Sequence, residues 1–220
     1  MTSIRRSLSD EALASYVCAQ LNSNFPDNEP VMEDVIRQIL PETLKRLEFC
    51  FSKINNKYFF DGTSSVFSHL HGDQYAMFLY LLSNTAHRQG ASINLSSKIF
   101  LLNKMLHGID AFYEVTLPDI FLFVHPLGTV LGRAKYSDYL VVYQRCGIGS
   151  NHDVYPTLGE FLTLHPGTAI LGNCTIASNC TIATESLVLE KDLAENSLYI
   201  GNPKSHFIKT NTNINPIWRI

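Results

Sequence analysis

A chain of 220 residues, 45% hydrophobic and 17% charged, has room for one large or two small packed domains. Its 17 basic and 20 acidic residues are spread along the chain for a formal net charge of −3, which leaves no electrostatic footprint for nucleic acid or an anionic membrane. Five cysteines without a Cys-x-x-Cys pair exclude a disulfide scaffold.

At the N-terminus, Ser9, Asp10 and Glu11 follow Arg5 and Arg6 where a signal peptide needs an apolar run, and stretches such as Tyr75 to Leu82 are far too short for a bilayer. A cytoplasmic protein is expected. Ser7 or Ser9 caps a first predicted helix running to Leu21, with Leu8, Leu13, Val17 and Leu21 near helical spacing. A second spans Val31 to Ile54 and contains Pro41, which is expected to kink or split it. A third runs from about Asp73 to Arg88 and stops before Gly90. The fourth covers roughly Ser97 to Leu106, before Gly108.

Beyond residue 110 the period changes. Every sixth residue is apolar in the series Val124, Val130, Tyr136, Val142 and Ile148, and again in Leu158, Leu164, Ile170, Ile176, Ile182 and Val188. At the chain's average composition such a run arises by chance in roughly 2 of 10,000 trials. Four residues after these starts stand Gly128, Ala134, Leu140 and Cys146, then Leu162, Thr168, Cys174, Cys180 and Ser186, which are mostly small. A helix needs a period of 3.6 and a sandwich strict alternation. Six residues with one aliphatic and one small inward position describe a parallel β-helix of short flat faces. The fold class expected is α+β: an α-helical N-terminal domain over 1–110, a β-helix over 111–208 and a tail over 209–220.

Ten residues, not six, separate Ile148 from Leu158, so about four leave the coil as a loop near Asn151, His152, Asp153 and Tyr155. A regular coil has no pocket, and an extruded loop is where one is built. His125 follows a repeat start and falls at a corner, where small residues pack best. It is either a general base, since an imidazole's ordinary pKa of about 6.5 suits proton abstraction, or a surface histidine like His165 in the same His-Pro pattern. Asp110 could orient a histidine or could be a helix-end aspartate. Cys146, Cys174 and Cys180 occupy inward positions and read as core, and His69, His71 and Asp73 read as capping and surface groups, so no metal is expected.

Residues 65–208 resemble the serine acetyltransferases, in which a helical domain precedes a left-handed β-helix. The resemblance rests on Gly108-Ile109-Asp110, the run from Val124-His125-Pro126 through Gly132, Ala169-Ile170-Leu171-Gly172-Asn173, and the closing Gly201-Asn202-Pro203. It implies an acetyl-CoA-dependent O-acetyltransferase without a metal. In such an enzyme Asp110 and His125 form the dyad that activates an acceptor hydroxyl, and a backbone N–H holds the developing oxyanion. His152, Asp153 and Tyr155 then contact the acceptor, while Gly167, Thr168, Ala183 and Lys204 contact acetyl-CoA. The active form implied is a homotrimer or a dimer of trimers, with coenzyme between neighbouring coils. The terminal Ile220 matches a tail that holds a cysteine-synthesis partner.

Two departures alter the acceptor grip. Val124 stands where the family has an aspartate before the histidine, and Val154-Tyr155-Pro156 replaces its Arg-His before proline. L-serine is therefore one acceptor and a sugar hydroxyl of surface-polysaccharide synthesis another, and a catalytically silent scaffold is the third reading.

Overall fold

A computed structural model describes residues 4–212 and 216–220. Its contacts divide the chain into two units, one of 1–107 with 112–114 and 219–220, the other of 108–111 with 115–218. None of the described helices is long and apolar enough to cross a membrane.

The first unit holds strand β1 (Arg5–Arg6), helix α1 (Asp10–Asn24), helix α2 (Glu33–Ser52), strand β2 (Val66–Phe67) parallel to β1, helix α3 (Gly72–Arg88) and helix α4 (Ile93–His107). Ser9 caps α1 by accepting a hydrogen bond from the Ala12 N–H at 3.2 Å. Helix α3 is apolar on nearly every side and buried from Gln74 to Ala86, the pattern of a central helix wrapped by its neighbours. Gly90, at φ +76°, takes the left-handed conformation that stops it. The expected break at Pro41 does not occur. Helix α2 runs through it, because Ile36, Ile39, Leu40, Leu44 and Leu47 on both sides are buried and outweigh the one backbone bond a proline forfeits.

The second unit opens with β3 (Asp110–Ala111) and coils through β4 (Phe121–Phe123), β5 (Val130–Leu131), β6 (Leu140–Val142), β7 (Gly147–Gly149), β8 (Thr157–Leu158), β9 (Thr163–Leu164), β10 (Ala169–Leu171), β11 (Thr175–Ile176), β12 (Thr181–Ile182), β13 (Leu187–Leu189) and β14 (Ser197–Asn202). All pair in parallel with the strands one turn away, in three faces ordered β13-β10-β7-β5-β3, β11-β8 and β14-β12-β9-β6-β4. The architecture is α+β, four helices followed by a left-handed parallel β-helix of about five turns. Strand β15 (Ser205–Thr210) turns back antiparallel to β14 and ends the coil. Gly201 makes that turn possible at φ +114°, since a Cβ there would sit 2.3 Å from the Ser205 carbonyl oxygen.

Eight inward positions of the sequence pattern are where they are expected. Val142, Ile148, Leu158, Leu164, Ile170, Ile176, Ile182 and Val188 are at most 2% exposed, and Thr168, Ser186 and the three coil cysteines are buried too. The start of the series differs. Val130 faces out at 51% exposure, and Leu131 stacks inward on Ile148. Likewise Phe123, not Val124, stands beside Val142, and Thr129 rather than Gly128 fills the small inward place. Tyr136 is half-buried. The stretch from Phe123 to Leu131 is therefore two residues longer than a regular face-to-face step, and the next step is one shorter. An apolar residue on either side of each true position hid the shift.

Candidate active site

The lengthened step is the corner that carries His125. Val124 still donates to the Val142 carbonyl as a regular coil residue, and then the chain bulges. The Leu127 N–H donates back to the His125 carbonyl at 2.7 Å, closing a tight turn over Pro126, and Thr129 N–H donates to the Pro126 carbonyl at 3.1 Å. His125 itself sits at φ +48°, a left-handed conformation that costs a branched backbone roughly 1–2 kcal/mol, and its side chain is exposed. The same left-handed conformation recurs at other corners of the coil, at Tyr139, Phe161, Asn179 and Asn196.

Two ladders fix the bulge from either side. On one, the Gly128 N–H donates to Gly108 O and the Asp110 N–H to Thr129 O, so Gly108–Ala111 runs beside Gly128–Leu131. Gly108 takes left-handed backbone there at φ +62°, and a Cβ on it would displace the exposed Leu127 side chain, 2.6 Å away. Ladder partners point to the same face. Ala111 is buried with Leu131, so Asp110 faces outward with Val130, half-buried, next to the turn that bears His125. On the other side the Arg145 N–H donates to Leu127 O at 2.9 Å. The Thr129 hydroxyl donates to the Tyr143 carbonyl at 2.8 Å and accepts from the Cys146 N–H at 3.2 Å, pinning the bulge to the coil.

The extruded loop is a hairpin. Asn151 and Val154 exchange N–H···O bonds at 3.1 and 3.0 Å, and His152 and Asp153, at φ +50° and +61°, form its two-residue turn. The Asn151 amide donates to Glu190 at 2.8 Å, over Gly172, whose missing side chain makes room. His152, Asp153 and Tyr155 are exposed. This hairpin lies at the corner between β7 and β8, whereas His125 lies between β4 and β5. One chain does not bring the two together.

The candidate coenzyme residues separate. Gly167 lies at the His125 corner with φ +75°, and its N–H is held by Gln144 O. Ala183 is half-buried on the next turn with its N–H on Tyr199 O. Thr168 points into the coil at 1% exposure, its hydroxyl donating to the Cys146 sulfur at 3.4 Å. Lys204 is exposed in the turn between β14 and β15. Beside this corner a groove of about 410 Å³ is lined by Val141, Tyr143, His165 and Thr181 and walled by Pro216 and Ile217 of the tail. Tyr143 and His165 stack at 5.3 Å, and burial lowers the His165 pKa below its ordinary value.

Sequence reasoning missed two charged residues at the same corner. Arg145 and Glu185 form an ion pair across Gly167. The signal was present, because each stands immediately before a small inward residue (Cys146, Ser186), in the place that Gly128 and Gly167 hold on the alternate turns. Among the described residues no cluster of histidine, cysteine or acidic groups could hold a metal. All five cysteines are buried and none is in a disulfide, and burial raises the pKa of Cys18, Cys174 and Cys180.

No protein-family model and no curated protein matches the sequence. Solved structures do match over nearly the whole chain. The serine acetyltransferase of Vibrio cholerae O1 superposes with a TM-score of 0.73 at 19% identity, covering 94% of this chain and 81% of that one. A serine acetyltransferase complexed with CoA gives 0.69 at 16%, covering 90% and 84%. Soybean serine acetyltransferase complexed with serine gives 0.70 at 16%, covering 92% and 85%. The chain thus has the fold of the serine acetyltransferases, helical part and β-helix together.

Proposed function

We propose that this protein is an acetyl-CoA-dependent O-acetyltransferase of the serine acetyltransferase type, with L-serine or a closely related hydroxyl compound as acceptor. The observation that carries the reading is the bulged corner. It presents His125 to solvent, and it is locked to the strand that bears Asp110. The step that carries it is two residues longer than a regular step of the coil. The likeness to structures holding CoA and serine supports the same chemistry.

In this reading His125 takes the proton from the acceptor hydroxyl while the oxygen bonds to the acetyl carbonyl carbon. The thioester C–S bond breaks, and the proton returns to the departing thiolate. Asp110 orients the imidazole and stabilises its protonated form. Because His125 and His152 occupy different corners, the acceptor site is completed by the hairpin of a neighbouring copy. That makes a homotrimer or dimer of trimers the working form, with coenzyme lying along the Gly167 and Ala183 edge toward Lys204. Thr168 contributes only through its backbone. The five buried thiols, none in a disulfide, suit the reducing cytoplasm. Ile220, 93% exposed, is the residue a cysteine-synthesis partner would read.

The test is thiol release from acetyl-CoA by wild type, His125→Ala and Asp110→Asn, with serine and a panel of sugars. Turnover with serine that falls 10²–10⁴-fold in His125→Ala supports the reading. Turnover with a sugar alone transfers the protein to polysaccharide chemistry. Release that does not depend on His125 removes it as the base, and no release with any acceptor leaves the silent scaffold.

A further inference from the structure

Strand β15 is the outer edge of the six-stranded sheet of the coil, and its six residues pair one to one with β14, without a bulge. The ladder fixes where its backbone points. Ala183 donates its N–H to the Tyr199 carbonyl, so Tyr199 turns its polar groups toward β12. Leu198, Ile200 and Asn202 then turn theirs toward β15, where Lys209, Phe207 and Ser205 answer them. His206, Ile208 and Thr210 therefore point N–H and C=O away from the coil, and no described residue bonds to them. Side chains follow the same alternation. Tyr199 is fully buried and Ile208 lies beside it in the ladder, so Ile208 covers the open end of the coil core. His206, on the same side, stacks on the Tyr199 ring at 5.2 Å. Phe207 and Lys209 face outward with Ile200 and Leu198.

A solenoid stays soluble when its last repeat shows water a polar face, and a free sheet edge is blunted by short length, proline, a bulge or an inward charge. Strand β15 uses none of these. It is as long as any strand of the coil, it contains no proline, and its one formal charge, Lys209, points away from the core. Phe207 is 67% exposed and Ile208 47%. Two apolar side chains on an open edge make a surface for strand addition.

We propose that β15 pairs antiparallel with β15 of a second copy, joining two coils end to end. The strand is complementary to itself. With a two-fold axis at Ile208, His206 faces the partner's Thr210, Phe207 the partner's Lys209, and Ile208 the partner's Ile208. Each outward residue then donates one bond and accepts one, which satisfies the open groups of the edge. Phe207 and the partner's Lys209 form a non-hydrogen-bonded pair, where side chains come closest. The ammonium group lies over the ring, and the two lysines stay apart. Ile208 packs on its copy where the two core ends meet. An axis at His206 would set Ile208 against the partner's Lys204, so Ile208 fixes the register. Coils packed side by side about a three-fold axis point the same way and cannot pair like this. The contact therefore joins the ends of separate coils or separate trimers, and it does not depend on the acyl-transfer reading.

The experiment is sedimentation equilibrium of the full-length protein over a concentration series, as wild type, Ile208→Pro, Phe207→Lys, and Phe207→Lys combined with Lys209→Glu. Ile208 points its N–H outward, so a proline there leaves the β14 ladder intact and removes the bonds at the centre of the contact. Phe207→Lys sets lysine against lysine, and adding Lys209→Glu turns that contact into an ion pair. Expected is a wild-type mass twice that of the two single variants, whose end-to-end dissociation constant rises at least tenfold. The doubled mass should return in the combined variant. Circular dichroism and urea midpoints at the lowest concentration should match wild type. If Ile208→Pro loses the coil, the two Phe207 variants decide the matter alone. One mass shared by wild type and the single variants would overturn the pairing. So would a doubled mass that Phe207→Lys abolishes and Lys209→Glu fails to restore, since Phe207 would then not face the partner's Lys209.

Discussion

Leu131 stands directly beside Ile148 in the parallel ladder, and Val130, its neighbour in sequence, pairs with Gly147 on the outer face. The same register sets Asp110 against Val130 and Ala111 against Leu131, so this pairing decides which face Asp110 occupies. Truncation reads the register directly. Leu131→Ala empties a site 1% exposed and should cost about 2–5 kcal/mol. Val130→Ala, at a position 51% exposed, should stay within about 0.5 kcal/mol. Urea midpoints of the two variants decide it, and equal losses would mean that the coil is registered one residue away.

The regular part of the coil is legible because its rule is simple. One aliphatic residue, from Val142 through Val188, points inward on each face, and a small one turns each corner. The same rule fails at Val124 and Val130, where the chain inserts a functional bulge. Phe123-Val124 and Val130-Leu131 are apolar doublets, so sequence offers two registers and only the hydrogen bonds of the folded ladder choose between them. Local propensity also overstated Pro41, since the buried residues around it hold α2 together. His125 and Asp110 were visible as residue types at a spacing, and the hairpin as four surplus residues. The Arg145–Glu185 pair left only a positional trace, each residue standing before a small inward one, because the contact itself joins residues 40 apart across one glycine.

Gly167 tests that gap. Gly167→Ala places a Cβ on a left-handed backbone, at a cost of roughly 1–2 kcal/mol, and pushes the Glu185 carboxylate off Arg145. A flexible side chain can yield, so the protein should still fold, with its urea midpoint lowered by little more than that backbone cost. Gly201→Ala is the contrast. Its Cβ meets the backbone of Ser205 at 2.3 Å, which cannot yield, so the β14–β15 turn should be lost and the urea midpoint should fall further. Equal midpoints for the two alanine variants would contradict this distinction.

Acid should weaken the fold as the pH falls through about 6.5 toward 5. Burial lowers the pKa of His107, against a weaker opposing pull from Asp73, and burial lowers that of His165. A histidine whose folded pKa lies below its unfolded value binds fewer protons in the native state. Its stabilisation is complete above the unfolded value, near 6.5, and is lost as the pH falls below that toward the folded value. Hydrogen bonds hold the Asp27 carboxylate low through Lys98 and that of Asp61 low through the Ser64 N–H, so their losses begin further down, below about pH 4. The urea midpoint should therefore drop from pH 7.5 to 5.5, and a His107→Phe, His165→Phe double variant should flatten that slope. A midpoint that rises on acidification would rule out this assignment.

Trp218 provides the last prediction, because it is the single tryptophan of the chain. It is 5% exposed, packed edge to face on Tyr139 with ring centroids 5.5 Å apart, and Tyr139 in turn stacks on Phe161 at 4.2 Å and an interplanar angle of 4°. Its indole N–H is buried without a hydrogen-bond partner. The ring therefore contributes through packing alone, and the unpaired N–H detracts from it. Trp218→Ala should cost about 3–5 kcal/mol, whereas Trp218→Phe keeps an aromatic edge on Tyr139, removes the unpaired donor and should recover most of the loss. Native fluorescence offers a second, independent reading. Emission should be blue-shifted as for a buried indole, and its red shift in urea should coincide with loss of the coil's circular dichroism. Red emission from the native protein, or a red shift that precedes coil unfolding, would show that the tail leaves Tyr139 while the β-helix is still intact.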